Sequence, residues 1–277
     1  MDAIEFERRA ALVDPQYETP VASKTPGREA YGWIDFVGLP NTRDLGGLVG
    51  ADGRRVKPGL LLRSGALGFG RGNDLDRLRE DYNLQLVVDL RNGDELSELP
   101  DPMDAFPGAR FVHAEILASE ALGITQESSA REEAERLRRE VDAAADPIEA
   151  MVILYPHMLL DAPGLKGYRD FFQAVLACEQ GAALWHCYVG RDRCGMASAL
   201  METALGVERA EIERDYLATN VYAPRELTEN GAASLRSLRA AFGAVEREYG
   251  SVLDYIIKAL GIGQDELAIL RNRYLEA

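Results

Sequence analysis

The 277-residue chain carries 31 Lys and Arg against 46 Asp and Glu, a net charge of −15, with 47% hydrophobic and 28% charged residues. It is long enough to bury a substantial core, and its mean field repels polyanions, which excludes nucleic acid and anionic bilayers as general partners and argues against stable membrane association. Three cysteines at 178, 187 and 194 and three scattered histidines, His113, His157 and His186, give neither a disulfide framework nor metal-ligand spacing, so no metal and no cofactor is expected.

No apolar run approaches the ~20 residues of a membrane span. The start Met1-Asp2-Ala3-Ile4-Glu5-Phe6-Glu7-Arg8 lacks the basic start and apolar stretch of a signal peptide. The expected location is cytoplasmic, export without a cleaved signal being invisible at this level.

In chain order, residues 1–32 read as a short helix followed by an extended arm marked by Pro15, Pro20, Pro26 and Gly27. A single domain is expected over 33–277. Strands are expected at 34–37, 60–63, 85–90, 110–113 and 182–186, interleaved with helices at about 73–82, 148–161 and 165–179. That order implies an α/β fold with a central, mostly parallel sheet flanked by helices. Asn41, Asp44 and Gly46-Gly47 read as a turn. Arg43, Arg63 and Arg91 follow or end predicted strands, where they either line one sheet edge and offset the charge of an incoming anion or pair with Asp44 and Asp89. The stretch 126–145 alternates charge with Ala134, Leu137 and Val141 at helical spacing; it is either a helical lid, within 119–147, or a solvated surface helix. From Val207 to Ala277 the composition is helical, with Leu235, Leu238, Phe242 and Val245 forming an apolar stripe suited to core packing.

The segment His186-Cys187-Tyr188-Val189-Gly190-Arg191-Asp192-Arg193 carries the chemistry. It lies between the apolar strand Ala182-Ala183-Leu184-Trp185 and a proline-free helical stretch from Cys194 to Leu205. A loop at a helix N-terminus presents N–H groups without helical partners, and the helix dipole favours negative charge there. A phosphate dianion suits such a site, and the same field favours thiolate over thiol at Cys187. Arg193 has a planar fork matched to two phosphoryl oxygens. Gly190 lets the loop turn without a Cβ in the pocket. Cys187 is the candidate nucleophile, and the backbone from Tyr188 and Val189 through Gly190, Arg191 and Asp192 to Arg193 is the candidate phosphate cradle. Breaking a phosphate monoester also requires an acid for the leaving oxygen. Asp89, at the end of the strand Leu86-Val87-Val88, and Asp192, within the loop, are the two candidates, with Asp89 slightly preferred. His186 fits a role in holding the backbone around Cys187.

This loop resembles the Cys-x5-Arg signature of the cysteine-dependent protein tyrosine phosphatases, and more narrowly the His-Cys-x-x-Gly-Lys-Asp-Arg loop of the bacterial members, a lipid-phosphatase-like subgroup. Asn41-Thr42-Arg43-Asp44-Leu45-Gly46-Gly47, Leu62-Arg63-Ser64-Gly65, Val88-Asp89-Leu90-Arg91 and Tyr216-Leu217-Ala218-Thr219-Asn220 are similar to further stretches of that family. The resemblance implies a phosphatase-like fold and a phosphocysteine intermediate on Cys187. Its implied substrates are phosphotyrosine-bearing proteins or other phosphomonoesters, with phosphoinositides or catalytically weak phosphate reading as alternatives. A rhodanese-type sulfurtransferase also carries a cysteine on a strand-to-helix loop, but without this spacing to arginine. The sequence departs from the family at two positions. Arg191 stands in place of the loop lysine, keeping charge but changing shape. Cys194 stands in place of a Ser or Thr whose hydroxyl would assist breakdown of the intermediate, which implies slow turnover; Cys194 is alternatively a resolving thiol or an ordinary buried helix cysteine.

Overall fold

Burial alternates along the strands and dictates layers on both sides of a sheet. In β5 (Ala182–His186), Ala183 and Trp185 enter one apolar cluster while Ala182 and Leu184 enter another, and all five residues are buried. A strand buried on both faces requires helices on both faces. The computed structural model describes residues 1–117, 128–224 and 231–277. It places β5 at the centre of a sheet with β1 (Arg43–Asp44), β2 (Leu61–Ser64), β3 (Leu84–Asp89) and β4 (Arg110–His113), in the order β1-β2-β5-β3-β4. Only β1 is antiparallel to its neighbour; the other pairs are parallel. The fold is therefore α/β, with a mostly parallel sheet flanked by helices.

Register decides where the site lies. His186 pairs with Ser64 on one side and Asp89 on the other, so the loops leaving the three central strands emerge together. This is the carboxyl edge, where open parallel sheets gather ligands.

One face is covered by α2 (Gly72–Glu80), whose Leu78 packs with Leu62, Leu84, Val87 and Leu184. The other holds α6 (Ala162–Leu176) and α7 (Asp192–Leu205), where Phe171, Phe172, Trp185, Met196 and Leu200 join the main core. Gly206, at φ +82°, ends α7 in the left-handed conformation. The C-terminal part is helical, as expected: α8 (Arg209–Tyr222), α9 (Leu235–Tyr249), α10 (Val252–Lys258) and α11 (Gln264–Tyr274). Leu238, Phe242 and Val245 are buried and Leu235 is partly so, and α9 packs against α5 (Pro147–Leu160). At the other end, α1 (Ala3–Ala10) docks Phe6 beside Tyr31, Ala218 and Tyr222, so the N-terminal segment is part of the packed body.

Three places differ from the sequence expectation. The apolar run 34–37 forms no strand: an isolated bridge of Trp33 to Arg43, closed by Ile34 N to Thr42 O at 3.0 Å, does not continue along the run, and Ile34 and Phe36 bury their side chains without a ladder. The short β1 lies inside the stretch read as a turn. The helix α3 (Gly93–Glu98) was not anticipated; Asn92 accepts from Glu95 N at 2.9 Å while Glu95 accepts from Asn92 N at 3.0 Å, a reciprocal cap written in the sequence as Asn-x-x-Glu. Within the charge-rich stretch, α4 (Ser128–Asp142) is a helix packed against α5, while residues 118–127 of the expected lid lie outside the described residues. Among the described residues no helix is long and apolar enough to cross a membrane.

Candidate active site

The loop after β5 is shaped by pulling its carbonyls outward. Tyr188 O accepts from Ala66 N at 3.0 Å, Val189 O from Asn41 Nδ2 at 3.3 Å, and Gly190 O from Asn41 Nδ2 at 3.0 Å and Arg63 Nη2 at 2.9 Å. In a trans peptide the next residue's N–H points opposite to the carbonyl, and no peptide bond here is cis. The N–H groups of Val189, Gly190 and Arg191 are thereby turned to the inner side of the loop. Gly190 has φ +76°, and a Cβ there would lie 2.7 Å from Ser64 O, so the turn needs glycine both for its backbone and for its clearance. Cys187, 2% exposed, starts this curl, and α7 begins at Asp192, adding its N-terminus to the same concavity.

Arg193 is held by α3. Its Nη2 donates to Glu95 Oε1 at 2.8 Å and its Nη1 to Glu95 Oε2, a bidentate pair that fixes the guanidinium plane. Burial pushes the Glu95 carboxyl up, but the Arg193 hydrogen bonds and charge outweigh it and hold Glu95 ionised. Arg191 turns away from the concavity: its Nε donates to Asp192 Oδ1 at 3.0 Å and its Nη1 to Gly231 O. Asp192 also accepts from Tyr155 O–H at 2.6 Å, and Tyr155 O lies 2.6 Å from Tyr216 O. Cys194 Sγ, buried on α7, donates to Trp185 O at 3.6 Å, and burial pushes its thiol up to about 12.

Asp89 sits in a closed network. It is 0% exposed and accepts from Arg91 Nη2 at 2.8 Å, Arg91 Nε at 3.0 Å and Arg91 N at 2.9 Å. Arg91 also reaches Asp101 Oδ1 at 3.1 Å and Leu99 O at 2.7 Å. Asp89, Asp101 and His186 offer ligand atoms within 4.8 Å of one another, but the Arg91 guanidinium is already the cation bonded to both carboxylates, so the chemistry of the set is that of an ion-pair network. His186 completes it. Its Nδ1 faces Cys187 O at 3.2 Å and its Nε2 faces Asp101 Oδ2 at 2.8 Å; a carbonyl and a carboxylate both require donors, and only the imidazolium has two. Burial opposes that charge, but the hydrogen bond and charge of Asp101, followed by Asp89, hold His186 above its ordinary 6.5. The stabilisation from a raised histidine is fully present below the unfolded value and lost as pH rises through the folded one. Urea midpoints of wild type and His186→Gln are therefore expected to converge as pH rises from 6 towards 9; a pH-independent difference would show the ring to be neutral.

The remaining arginines meet a partner far along the chain. The Asp215 carboxylate of α8 accepts from Arg28 Nη2 at 3.1 Å and Arg63 Nη1 at 2.9 Å and forms an ion pair with Arg43 Nη1 at 2.9 Å, whose hydrogen bond goes to the Asp215 backbone carbonyl, all buried. Arg43 and Arg63 thus do not pair with Asp44 or Asp89; Asp44 instead accepts from Gly46 N at 2.8 Å and Gly59 N at 2.7 Å, closing its turn. Arg63 joins this cluster to the Gly190 carbonyl. The structure brings His186, Cys187 and the 188–193 loop together with Arg63, Asn41, Glu95 and Tyr155. It leaves Arg43 and Asp44 one layer behind, and Asp89 with Arg91 in the network behind His186. Glu95, Asp215, Arg28, Tyr155 and Tyr216 were not singled out as site residues from the sequence. Of these, Glu95 has a local signal in its capping spacing to Asn92, and Tyr216 lies in the family-like stretch Tyr216–Asn220 without a role being read for it.

A parallel sheet whose central strand runs into a cysteine, a ring of inward N–H groups, a fixed arginine and a helix N-terminus defines an anion site of the strand–loop–helix class. The chain belongs to the tyrosine phosphatase family, whose sequence profile it matches over residues 34–276. It is 33% identical over 288 residues to a protein of Cupriavidus necator provisionally named a tyrosine-protein phosphatase, covering 96% of this chain and 95% of that one. It is 24% identical over 258 residues to the tyrosine-protein phosphatase of Nostoc commune, covering 79% and 81% respectively. The protein is accordingly an enzyme of the phosphatase class acting on phosphorylated substrates.

Proposed function

We propose that this enzyme hydrolyses phosphomonoesters through a phosphocysteine on Cys187, with phosphotyrosine on proteins as its substrate. The observation that supports this is the outward tethering of three loop carbonyls, which turns N–H donors and the N-terminus of α7 onto the space in front of Cys187. The Cys187 sulfur attacks phosphorus and the bond to the phenolic oxygen breaks, with a proton delivered to that oxygen. Water then attacks the phosphocysteine, the S–P bond breaks, and the same acid residue recovers a proton from the water. Arg193 and the loop N–H groups hold the equatorial oxygens throughout.

Asp192 fits the acid–base role better than Asp89. Both carboxylates receive an arginine on each oxygen, but Asp89 is enclosed at 0% exposure, whereas the Asp192 side chain keeps 20% exposure and sits in the loop. Burial pushes Asp192 up, but Arg191, Tyr155 and Arg193 outweigh it and hold the free enzyme's carboxyl below the ordinary range. An arriving phosphate dianion adds repulsion and moves it back up, so the acid gains its proton with substrate bound. Two features favour an aryl monophosphate over a phosphoinositide. The Arg191 guanidinium is anchored through Nε to Asp192 and through Nη1 to Gly231 O, which limits its reach towards a second phosphate. The half-buried Tyr188 meets Phe69 edge-on at 5.6 Å, an aromatic rim suited to a phenyl ring.

The test is phosphate release from a phosphotyrosine peptide, a phosphoserine peptide and a soluble phosphoinositide by wild type and Cys187→Ser, with a chelator present. Chelator-resistant release, fastest from phosphotyrosine and abolished by the substitution, is the expected result. A second reading, a phosphate reader with little turnover, is favoured by Cys194, whose thiol is directed to the Trp185 carbonyl where the family has a hydroxyl. Tight binding of phosphotyrosine peptide without release, converted to release by Cys194→Thr, would establish it.

A further inference from the structure

The site contains two buried phenols that the proposed chemistry does not use. Tyr155, from α5, and Tyr216, from α8, are each 1% exposed, and their rings meet edge-on at 6.4 Å. Phenylalanine would fill the same volume without bringing two hydroxyls into the core, so the hydroxyls call for an explanation of their own. Their geometry supplies one. Tyr155 O–H donates to Asp192 Oδ1 at 2.6 Å and Tyr155 O lies 2.6 Å from Tyr216 O. A phenol carries a single proton. That of Tyr155 is spent on the carboxylate, so Tyr216 must donate to Tyr155, and every hydrogen in the chain points towards Asp192.

We propose that Tyr155 and Tyr216 are positioning residues of the active site, a directed two-phenol chain that fixes the rotamer of Asp192 and sets the pH range over which it gives up and recovers its proton. The inference rests on the reading of Asp192 as the acid–base residue. The charged and titratable groups facing Asp192 are Arg191 and Arg193 on its own loop, Tyr155 on α5 and, behind it, Tyr216 on α8. Burial, followed for both phenols by the Asp192 charge, keeps Tyr155 and Tyr216 from ionising, so they remain donors at every working pH. Gly195 keeps room for the chain: a Cβ there would lie 3.1 Å from Tyr216 Cδ2 and Cε2, tight enough to push the ring. The second phenol matters because a hydroxyl that receives a hydrogen bond becomes a stronger donor in turn. It also ties the rotamer of a loop side chain to α5 and α8, which pack against α9 and α7 respectively.

The sign of the effect follows from the direction of the bonds. Donation to the ionised carboxylate favours it, so removing the donor raises the proton affinity of Asp192. In the first chemical step Asp192 must be protonated, and the rate falls as pH rises through its value in the substrate complex. The test is the pre-steady-state burst of tyrosine-peptide release at saturating phosphotyrosine peptide, followed against pH for wild type, Tyr155→Phe, Tyr216→Phe, the double variant and Asp192→Asn. Tyr155→Phe is expected to move the basic limb up by roughly one pH unit. Tyr216→Phe should move it the same way by less, and the double variant no further than Tyr155→Phe alone, because Tyr216 acts through Tyr155. Asp192→Asn should abolish that limb. Loss of the limb in Asp192→Asn together with unmoved limbs in both phenylalanine variants would overturn the tyrosine chain and leave Asp192 in its role. Retention of the limb in Asp192→Asn would overturn the role of Asp192 and the chain with it. If Tyr155→Phe does not fold, Tyr216→Phe carries the same test at one remove, an unmoved limb overturning the chain.

Discussion

Arg193→Lys is expected to lower turnover of a phosphotyrosine peptide by about 10²–10³-fold, the loss seen when one preorganised transition-state donor is removed. The reason lies in how the guanidinium is divided. Glu95 takes one N–H from each terminal nitrogen, and that bidentate grip leaves Nε–H and the outward terminal N–H groups as a second fork towards the loop. Charge grows on the equatorial phosphoryl oxygens as the bond to the leaving group loosens, and a planar fork follows two of them at once. A lysine ammonium is one point of charge with freely rotating donors. Next to Glu95 it would sit against the carboxylate and leave the phosphate, because it cannot face both ways. Measured kcat and KM for wild type and Arg193→Lys decide the matter: the expected fall is mainly in kcat, and a loss of less than tenfold would mean that the backbone N–H groups and the helix N-terminus carry most of the charge stabilisation.

The strand-to-helix loop was legible in the sequence because its requirements are local. An apolar strand, a turn glycine, and a cysteine and arginine at fixed separation all lie within one short segment, and backbone geometry alone turns them into a concavity. The parallel layout was legible for the same reason, each strand and helix announcing its own period. What escaped was whatever the fold assembles from a distance. Arg43 and Arg63 were offered to nearby Asp44 and Asp89 because sequence proximity is the default guide to pairing, and it served for Asp89 and Arg91, two residues apart. Asp215 lies in a helix of mixed polar and apolar residues, beside the stretch Tyr216–Asn220, with no spacing of its own to mark a buried carboxylate. Only the packing of α8 reveals that it takes three arginines, one of them, Arg28, from the segment that reads in sequence as an extended arm. Tyr155 was hidden in the run Met151-Val152-Ile153-Leu154-Tyr155, where an aromatic residue reads as core. Its ring is core, but its hydroxyl is not. The 34–37 run failed in the opposite sense: Ile34 and Phe36 are buried as a strand's residues would be, but beyond the single bond of Ile34 N to Thr42 O the backbone turns on itself, Phe36 N meeting Ile34 O at 2.9 Å.

The same arginine cluster carries the largest expected stability effect. Asp215→Asn is expected to cost about 3–5 kcal/mol, the range for removing one partner of a buried charge pair. Three guanidiniums, from Arg28, Arg43 and Arg63, would remain buried with no carboxylate bonded to them. One response is built in. Glu202 of α7 is 1% exposed with both carboxyl oxygens lacking hydrogen-bond partners among the described residues. Burial, and next the charge of Asp215, raise its proton affinity far above the ordinary range and keep it neutral, against the pull of Arg63, Arg28 and Arg43. Without Asp215 the repulsion disappears and the pull of the three cations remains, so Glu202 ionises and replaces part of the lost charge. Glu202→Gln alone, exchanging one neutral group for another of the same shape, should cost less than about 1 kcal/mol. The double variant loses both the carboxylate and its replacement, and should be destabilised beyond the sum of the single losses by more than the ~0.5 kcal/mol within which independent sites add. Urea unfolding of the four proteins at pH 7 measures the coupling; simple additivity would mean that Glu202 stays neutral without Asp215. Because Arg63 Nη2 also holds the Gly190 carbonyl, the folded fraction of Asp215→Asn should lose activity as well, the loop losing one of the ties that turn its N–H groups inward.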